Sequence, residues 1–124
     1  MTIHLDTSAL VGALSEPRDS FERLHAFIQA GERIRLSTIV LYEWLRGPRT
    51  ISELRVQEEL FPREQIVLFD APAAARAAKL YSTLARSRGR AADFAVAACA
   101  LVDEAALWTL NPKDFSDVPG LELA

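Results

Sequence analysis

The chain has 124 residues, with 14 basic and 17 acidic side chains and a formal net charge of −3. That length fits one domain, residues 1–124, with enough buried surface for a core without staples. Half the residues are hydrophobic and a quarter are charged, which excludes a disordered chain, and the mild acidity excludes a protein that holds duplex DNA by bulk charge.

Ile3 and Leu5 precede Asp6 in a short strand-like opening. A helical pattern starts near Thr7, with Leu10, Val11 and Leu14 on one face, and Glu16-Pro17 breaks it. A second helix carries Phe21, Leu24, Phe27 and Ile28 at helical spacing and is closed by Gly31. Ile34 to Ser37 reads as a short strand. Ser37 or Thr38 caps a third helix carrying Val40, Leu41, Trp44 and Leu45, which stops at Gly47-Pro48. A polar helix follows over residues 51–60. The unbroken apolar run Ile66 to Phe69 predicts a strand buried on both faces. Residues 71–86 form an Ala-rich helix, Gly89 interrupts, and residues 91–103 form a helix apolar almost all round, so it should be central. Ala106 to Leu110 predicts another buried strand, and Leu121 to Leu123 a last edge strand. Short strands alternating with helices predict an α/β fold with a mainly parallel sheet covered on both faces. In such sheets sites lie at the carboxyl ends of strands, which places Asp6 and the segment Thr109 to Asp114 at one edge.

Cys99 is the sole cysteine, so an intramolecular disulfide and a thiolate zinc cage are both excluded, and a reducing compartment is expected. The longest strongly apolar run, Phe94 to Val102, has nine residues, whereas ~20 are needed to cross a bilayer. No basic segment followed by a long apolar stretch opens the sequence, so a soluble cytoplasmic protein is expected.

Four acids sit where chemistry is expected, and each also has a structural reading. Asp6 can cap the first helix. Glu43 lies among Val40, Leu41, Trp44 and Leu45 and can be a boundary glutamate. Asp93 opens the most apolar helix, where a helix N-terminus favours a carboxylate. In Asn111-Pro112-Lys113-Asp114, Asn as N-cap, Pro at N1 and Asp at N3 make a sound helix start. Jointly, clustered carboxylates repel and need a cation, and hard Mg²⁺ or Mn²⁺ prefers oxygen ligands. Thr109 and Asn111 add neutral polar groups at the rim. No nucleotide-cradling glycine loop is present, and the second aspartate of an aspartate-nucleophile phosphatase is replaced by Ser8. His4 and His25 read as structural or surface residues, and Cys99 as inert core.

Four segments, taken in order, resemble the PIN-domain ribonucleases, and the VapC-type toxins of toxin–antitoxin pairs within them. They are Leu5-Asp6-Thr7-Ser8-Ala9-Leu10, Ser37 through Glu43 into Leu45-Arg46-Gly47, Ala92-Asp93-Phe94-Ala95-Val96-Ala97-Ala98-Cys99-Ala100, and Thr109-Leu110-Asn111-Pro112-Lys113-Asp114-Phe115. The resemblance implies a PIN-like three-layer α/β/α fold. It implies that Asp6, Glu43, Asp93 and Asp114 are the catalytic acids, with Asp6, Asp93 and Asp114 holding Mg²⁺ or Mn²⁺ and Glu43 binding or activating the attacking water. Thr109 and Asn111 match the supporting polar pair. The implied substrate is RNA of the transfer or ribosomal class, the implied partner a VapB-type antitoxin, and the implied assembly a homodimer. Trp44 and Phe94 replace smaller residues and would narrow the groove.

Twelve of the fourteen basic residues are Arg, suited to bidentate phosphate contact. Arg46 beside the Glu43 helix, and Arg86, Arg88 and Arg90 before Asp93, are candidate RNA contacts, their other reading being solvated loop charge. Phe21, Phe27, Trp44 and Leu45 form either a dimer or antitoxin groove or part of the core. A non-catalytic PIN-like partner-binding module and a small phosphotransfer or phosphatase domain are the competing readings.

Overall fold

A computed structural model describes residues 1–124. Strand β1 (Thr2–Leu5) leads into helices α1 (Thr7–Leu14) and α2 (Phe21–Gln29), then β2 (Arg33–Arg35). Helices α3 (Thr38–Arg46), α4 (Ile51–Leu60), α5 (Ala71–Thr83) and α6 (Ala91–Val102) precede β3 (Ala106–Trp108). The three strands form a parallel sheet in the order β2-β1-β3, with Ile3 opposite Ile34 on one side and Ala106 on the other.

Strand geometry explains the layers. Successive side chains point to opposite faces. Trp108 meets Phe27 of α2 edge-on, with ring centroids 5.4 Å apart, whereas His4 reaches Asp103 just past α6. Helices α2 and α6 therefore cover opposite faces, and α5 packs on α6. The core of 19 buried residues draws on β1 and β3, on Leu36 just past β2 and on five helices, from Ile3 and Leu5 to Leu107, Trp108 and Phe115. In α6 the run Phe94 to Ala100 is entirely buried, as an all-round apolar helix requires. No helix is long and apolar enough to cross a membrane.

The helix boundaries have local causes. Asp6, Ser37, Thr50 and Asp70 each accept a backbone N–H at their helix starts. Gly31 takes the left-handed conformation just past α2, with φ +81°. Gly47 ends α3 for another reason. A Cβ there would stand 2.6 Å from the Arg49 guanidinium, whose Nε donates to the Trp44 carbonyl at 2.8 Å.

Several expectations need correction. Residues 66–69 are not a strand buried on both faces. A single parallel bridge joins Val67 to Ser37, and Leu68 is 66% exposed. The segment lies along a sheet edge, held through Thr38 N–H to the Val67 carbonyl and Phe69 N–H to Thr38 Oγ1. The edge strand at Leu121 to Leu123 is likewise reduced to one bridge, between Leu123 and Leu107. Helix α5 stops at Thr83, and Arg86 sits in a turn with φ +56°. Trp44 and Phe94 are fully buried, so they pack the core and neither narrows a groove nor offers a docking face.

Candidate active site

Asp6 stands at the carboxyl end of the central strand, where its backbone N–H is held by the Trp108 carbonyl. It caps α1, since Oδ1 accepts the Ala9 N–H at 2.9 Å. Capping and site membership are therefore not alternatives, because the cap fixes the carboxylate at the sheet edge.

Two hydroxyls complete its surroundings. Ser8 Oγ donates to Oδ1 at 2.7 Å, and Thr109 Oγ1 donates to Oδ2 at 2.5 Å. Each hydroxyl is itself oriented by a backbone N–H of the loop after β3. Leu110 N–H donates to Ser8 Oγ, and Asn111 N–H to Thr109 Oγ1, both at 3.0 Å. Two short relays thus run from consecutive peptide groups to the two oxygens of one carboxylate. Oδ1 receives two donors and Oδ2 one, so the free lone pair lies on Oδ2.

Glu43 enters from α3. Thr7 Oγ1 donates to Glu43 Oε1 at 2.6 Å, and Arg46 Nη2 stands 3.6 Å from Oε2. Asp93 lies in the first turn of α6. Asp114 closes a 3-10 turn at Pro112–Asp114, where Asn111 makes no side-chain cap, contrary to the expected helix start. Asp6, Glu43, Asp93, Asn111 and Asp114 line one cavity of about 170 Å³, together with Thr7, Ser8, Val96 and Phe115. Thr109 stands against Asp6 and is buried.

Like charge dominates this cavity. Burial holds the Asp93 carboxyl above its ordinary range, and the negative charges of Asp114, Asp6 and Glu43 push it further, with Arg90 opposing them. No group of three acidic, His or Cys side chains forms a ready-made metal cage. The donor set nevertheless fits a hard divalent cation. It is all oxygen, it is short of positive charge, and the cavity has room for waters that Mg²⁺ retains when only one or two carboxylates touch it directly.

The arginines divide. Arg46 is 60% exposed and stacks over Tyr42 while approaching Glu43. Arg86 and Arg88 are exposed in the turn before α6. Arg90 is turned inward, its guanidinium bound to Asp117, to the Asp114 and Ala85 carbonyls and over the Phe94 ring. Thr7, Ser8 and Asp117 are site-supporting residues that sequence reasoning missed. For Thr7 and Ser8 the available signal was two hydroxyls directly after Asp6. For Asp117, 27 residues from Arg90, there was none.

The geometry defines an α/β domain with an acid-lined cavity at the carboxyl edge of a parallel sheet. The chain belongs to the PIN domain family, whose model matches residues 3–121 and whose members are generally nucleases. Its fold is similar to that of DNA-bound VapBC from Salmonella typhimurium (TM-score 0.76, 23% identity, covering 100% of this chain and 97% of that one). It is also similar to a toxin–antitoxin complex from Klebsiella pneumoniae (0.75, 24%, 96% and 94%) and to FitAcB from Neisseria gonorrhoeae (0.72, 24%, 98% and 96%). Sequence comparison with curated proteins gives no significant match.

Proposed function

We propose that the protein is a metal-dependent endoribonuclease and the toxin half of a VapBC-type toxin–antitoxin pair. The observation that carries this reading is the gathering of Asp6, Glu43, Asp93 and Asp114 around one cavity. Asp6, Asp93 and Asp114 would hold Mg²⁺ or Mn²⁺, with Asp6 offering Oδ2. When bound, such an ion lowers the pKa of its water and offsets charge developing on the phosphate.

The chain's own residues supply the rest. Ser8 and Thr109 keep the Asp6 carboxylate from rotating, so its free lone pair faces one direction. Thr7 holds Glu43 Oε1 and leaves Oε2 to accept the proton of the attacking water. Water oxygen bonds to phosphorus, the bridging P–O bond breaks, and the departing oxygen takes a proton.

The substrate class is single-stranded or looped RNA, of the transfer or ribosomal kind. The exposed Arg46, which approaches Glu43, and the exposed Arg86 and Arg88 in the turn before α6 are the proposed contacts to its backbone. The antitoxin and a second copy of the chain are proposed partners. Phe21 and Leu45, 41% and 50% exposed, are apolar surface available to them, whereas Phe27 is half-buried against Trp108. A single domain in the cytoplasm is part of the same reading. Incubating structured RNA with the protein and Mn²⁺, or with EDTA, tests it. Cleavage only with the metal supports a nuclease, and intact RNA in both supports a non-catalytic partner-binding module.

A further inference from the structure

Arg90 occupies the N-cap position of α6, and its side chain is only 19% exposed. Nη1 donates to Asp117 Oδ2 at 2.9 Å and to the Ala85 carbonyl at 3.2 Å. Nη2 donates to Asp117 Oδ1 at 2.6 Å and to the Asp114 carbonyl at 3.0 Å. The guanidinium lies 4.6 Å from the Phe94 ring centroid. One side chain therefore ties the turn after α5, the first turn of α6 and the segment around Asp114.

That segment needs a tie. Between β3 and the bridge at Leu123 it has one 3-10 turn with no side-chain cap, and apart from those of Arg90 its hydrogen bonds to the rest of the fold lie at its two ends, from Thr109 and Leu110 and to the Glu122 carbonyl. Phe115 and Val118 anchor it by burial, which is strong but non-directional. Arg90 adds direction, because a planar fork bound at both nitrogens fixes orientation as well as distance. Asp93 is three residues along α6 from Arg90, and Asp114 carries the carbonyl that Arg90 binds.

We propose that Arg90 and Asp117 are a positioning clamp that sets Asp114 relative to Asp93 for a divalent cation, and that Arg90 does not contact RNA. The proposal rests on the metal-nuclease reading above. Four hydrogen bonds already engage both terminal nitrogens of Arg90, leaving only Nε–H without a partner. A phosphate would have to displace Asp117 to be gripped.

Arg90→Lys isolates geometry, since it keeps the charge beside the acids and loses the fork. Mn²⁺ affinity is measured by calorimetry on the folded protein, and cleavage kinetics on an RNA hairpin. The clamp predicts that affinity falls by about tenfold, typical of removing a group that orients a metal ligand. It also predicts a lower kcat with KM for RNA unchanged within about twofold. Asp117→Asn should weaken Mn²⁺ binding similarly, and the double variant should be no worse than either single one. Should Arg90→Lys fail to fold, Asp117→Asn carries the same readouts. Wild-type Mn²⁺ affinity in the folded variants overturns the clamp, as does a raised KM at unchanged kcat, which marks an RNA contact. If the wild-type protein and Asp93→Asn both fail to bind Mn²⁺, the metal-site reading itself falls and takes the clamp with it.

Discussion

Thr109 holds Asp6 across the sheet edge: its hydroxyl donates to Oδ2 at 2.5 Å while accepting the Asn111 N–H at 3.0 Å. The residue that follows β3 thereby orients the acid that follows β1, and the two strands are paired in register at Leu5 and Trp108. Removing the hydroxyl without changing shape should loosen the carboxylate and spare the fold. Thr109→Val is expected to lower Mn²⁺ affinity and kcat by about tenfold, with Thr109→Ser retaining most of both. Calorimetry and cleavage kinetics on the two variants check this.

Thr7 plays the corresponding part for Glu43, at 2.6 Å. Thr7→Val should reduce kcat by roughly tenfold and leave RNA binding intact, because in the proposed reaction Glu43 acts on the water and not on the RNA backbone. Parallel measurement of kcat and of RNA affinity by filter binding distinguishes this from a general loss of the site.

His4 gives a pH dependence. It is fully buried, Nε2–H donates to Asp103 Oδ2 at 2.8 Å, and Nδ1 has no partner. Burial lowers its pKa below 6.5 even though Asp103 pulls the other way. The folded state thus takes up a proton less readily than the unfolded chain. Stability is full above 6.5 and declines as pH falls below that value, at a slope of at most about 1.4 kcal/mol per pH unit. Denaturant titrations from pH 8 to 5 should show that decline, and His4→Gln should flatten it.

Asp93 carries the opposite sign. Its carboxyl is held high by burial and by its acidic neighbours, so ionisation at neutral pH costs the folded state stability. Without metal, Asp93→Asn should raise Tm by a few degrees, the trade seen where a site is strained for function. Added Mn²⁺ should raise the Tm of the wild-type protein and leave that of the variant unchanged. Thermal scans of both, with and without Mn²⁺, provide the check.

Exposed arginines act through salt-dependent charge neutralisation. If Arg86 or Arg88 neutralises one phosphate, Arg86→Gln or Arg88→Gln should flatten the slope of log affinity against log salt by about 0.7 for a single strand. RNA binding measured across a salt series reads this directly.

The strong local signals were legible in the sequence. The all-round apolar α6, the capping residues Asp6 and Ser37, the alternation of strands with helices and the four acids all follow from periodicity, capping chemistry or the likeness of four segments to one family. The failures have one physical source, which is that composition does not report pairing. Residues 66–69 are as apolar as a core strand, yet only Val67 pairs, and Leu68 faces solvent. Arg90 is indistinguishable in sequence from its loop neighbours Arg86 and Arg88, and only the fold brings Asp117 to it. Trp44 sits beside Glu43 on a helix whose opposite faces go to the core and to the cavity rim, so its neighbour's polarity said nothing about its own burial.

Metal-dependent cleavage is tested most directly by comparing wild-type protein with Asp93→Asn on one structured RNA, each shown folded by circular dichroism. Mn²⁺-dependent cleavage, abolished by EDTA, is expected from the wild-type protein, and none from the variant. Equal cleavage by Asp93→Asn, or wild-type cleavage undiminished by EDTA, would contradict it.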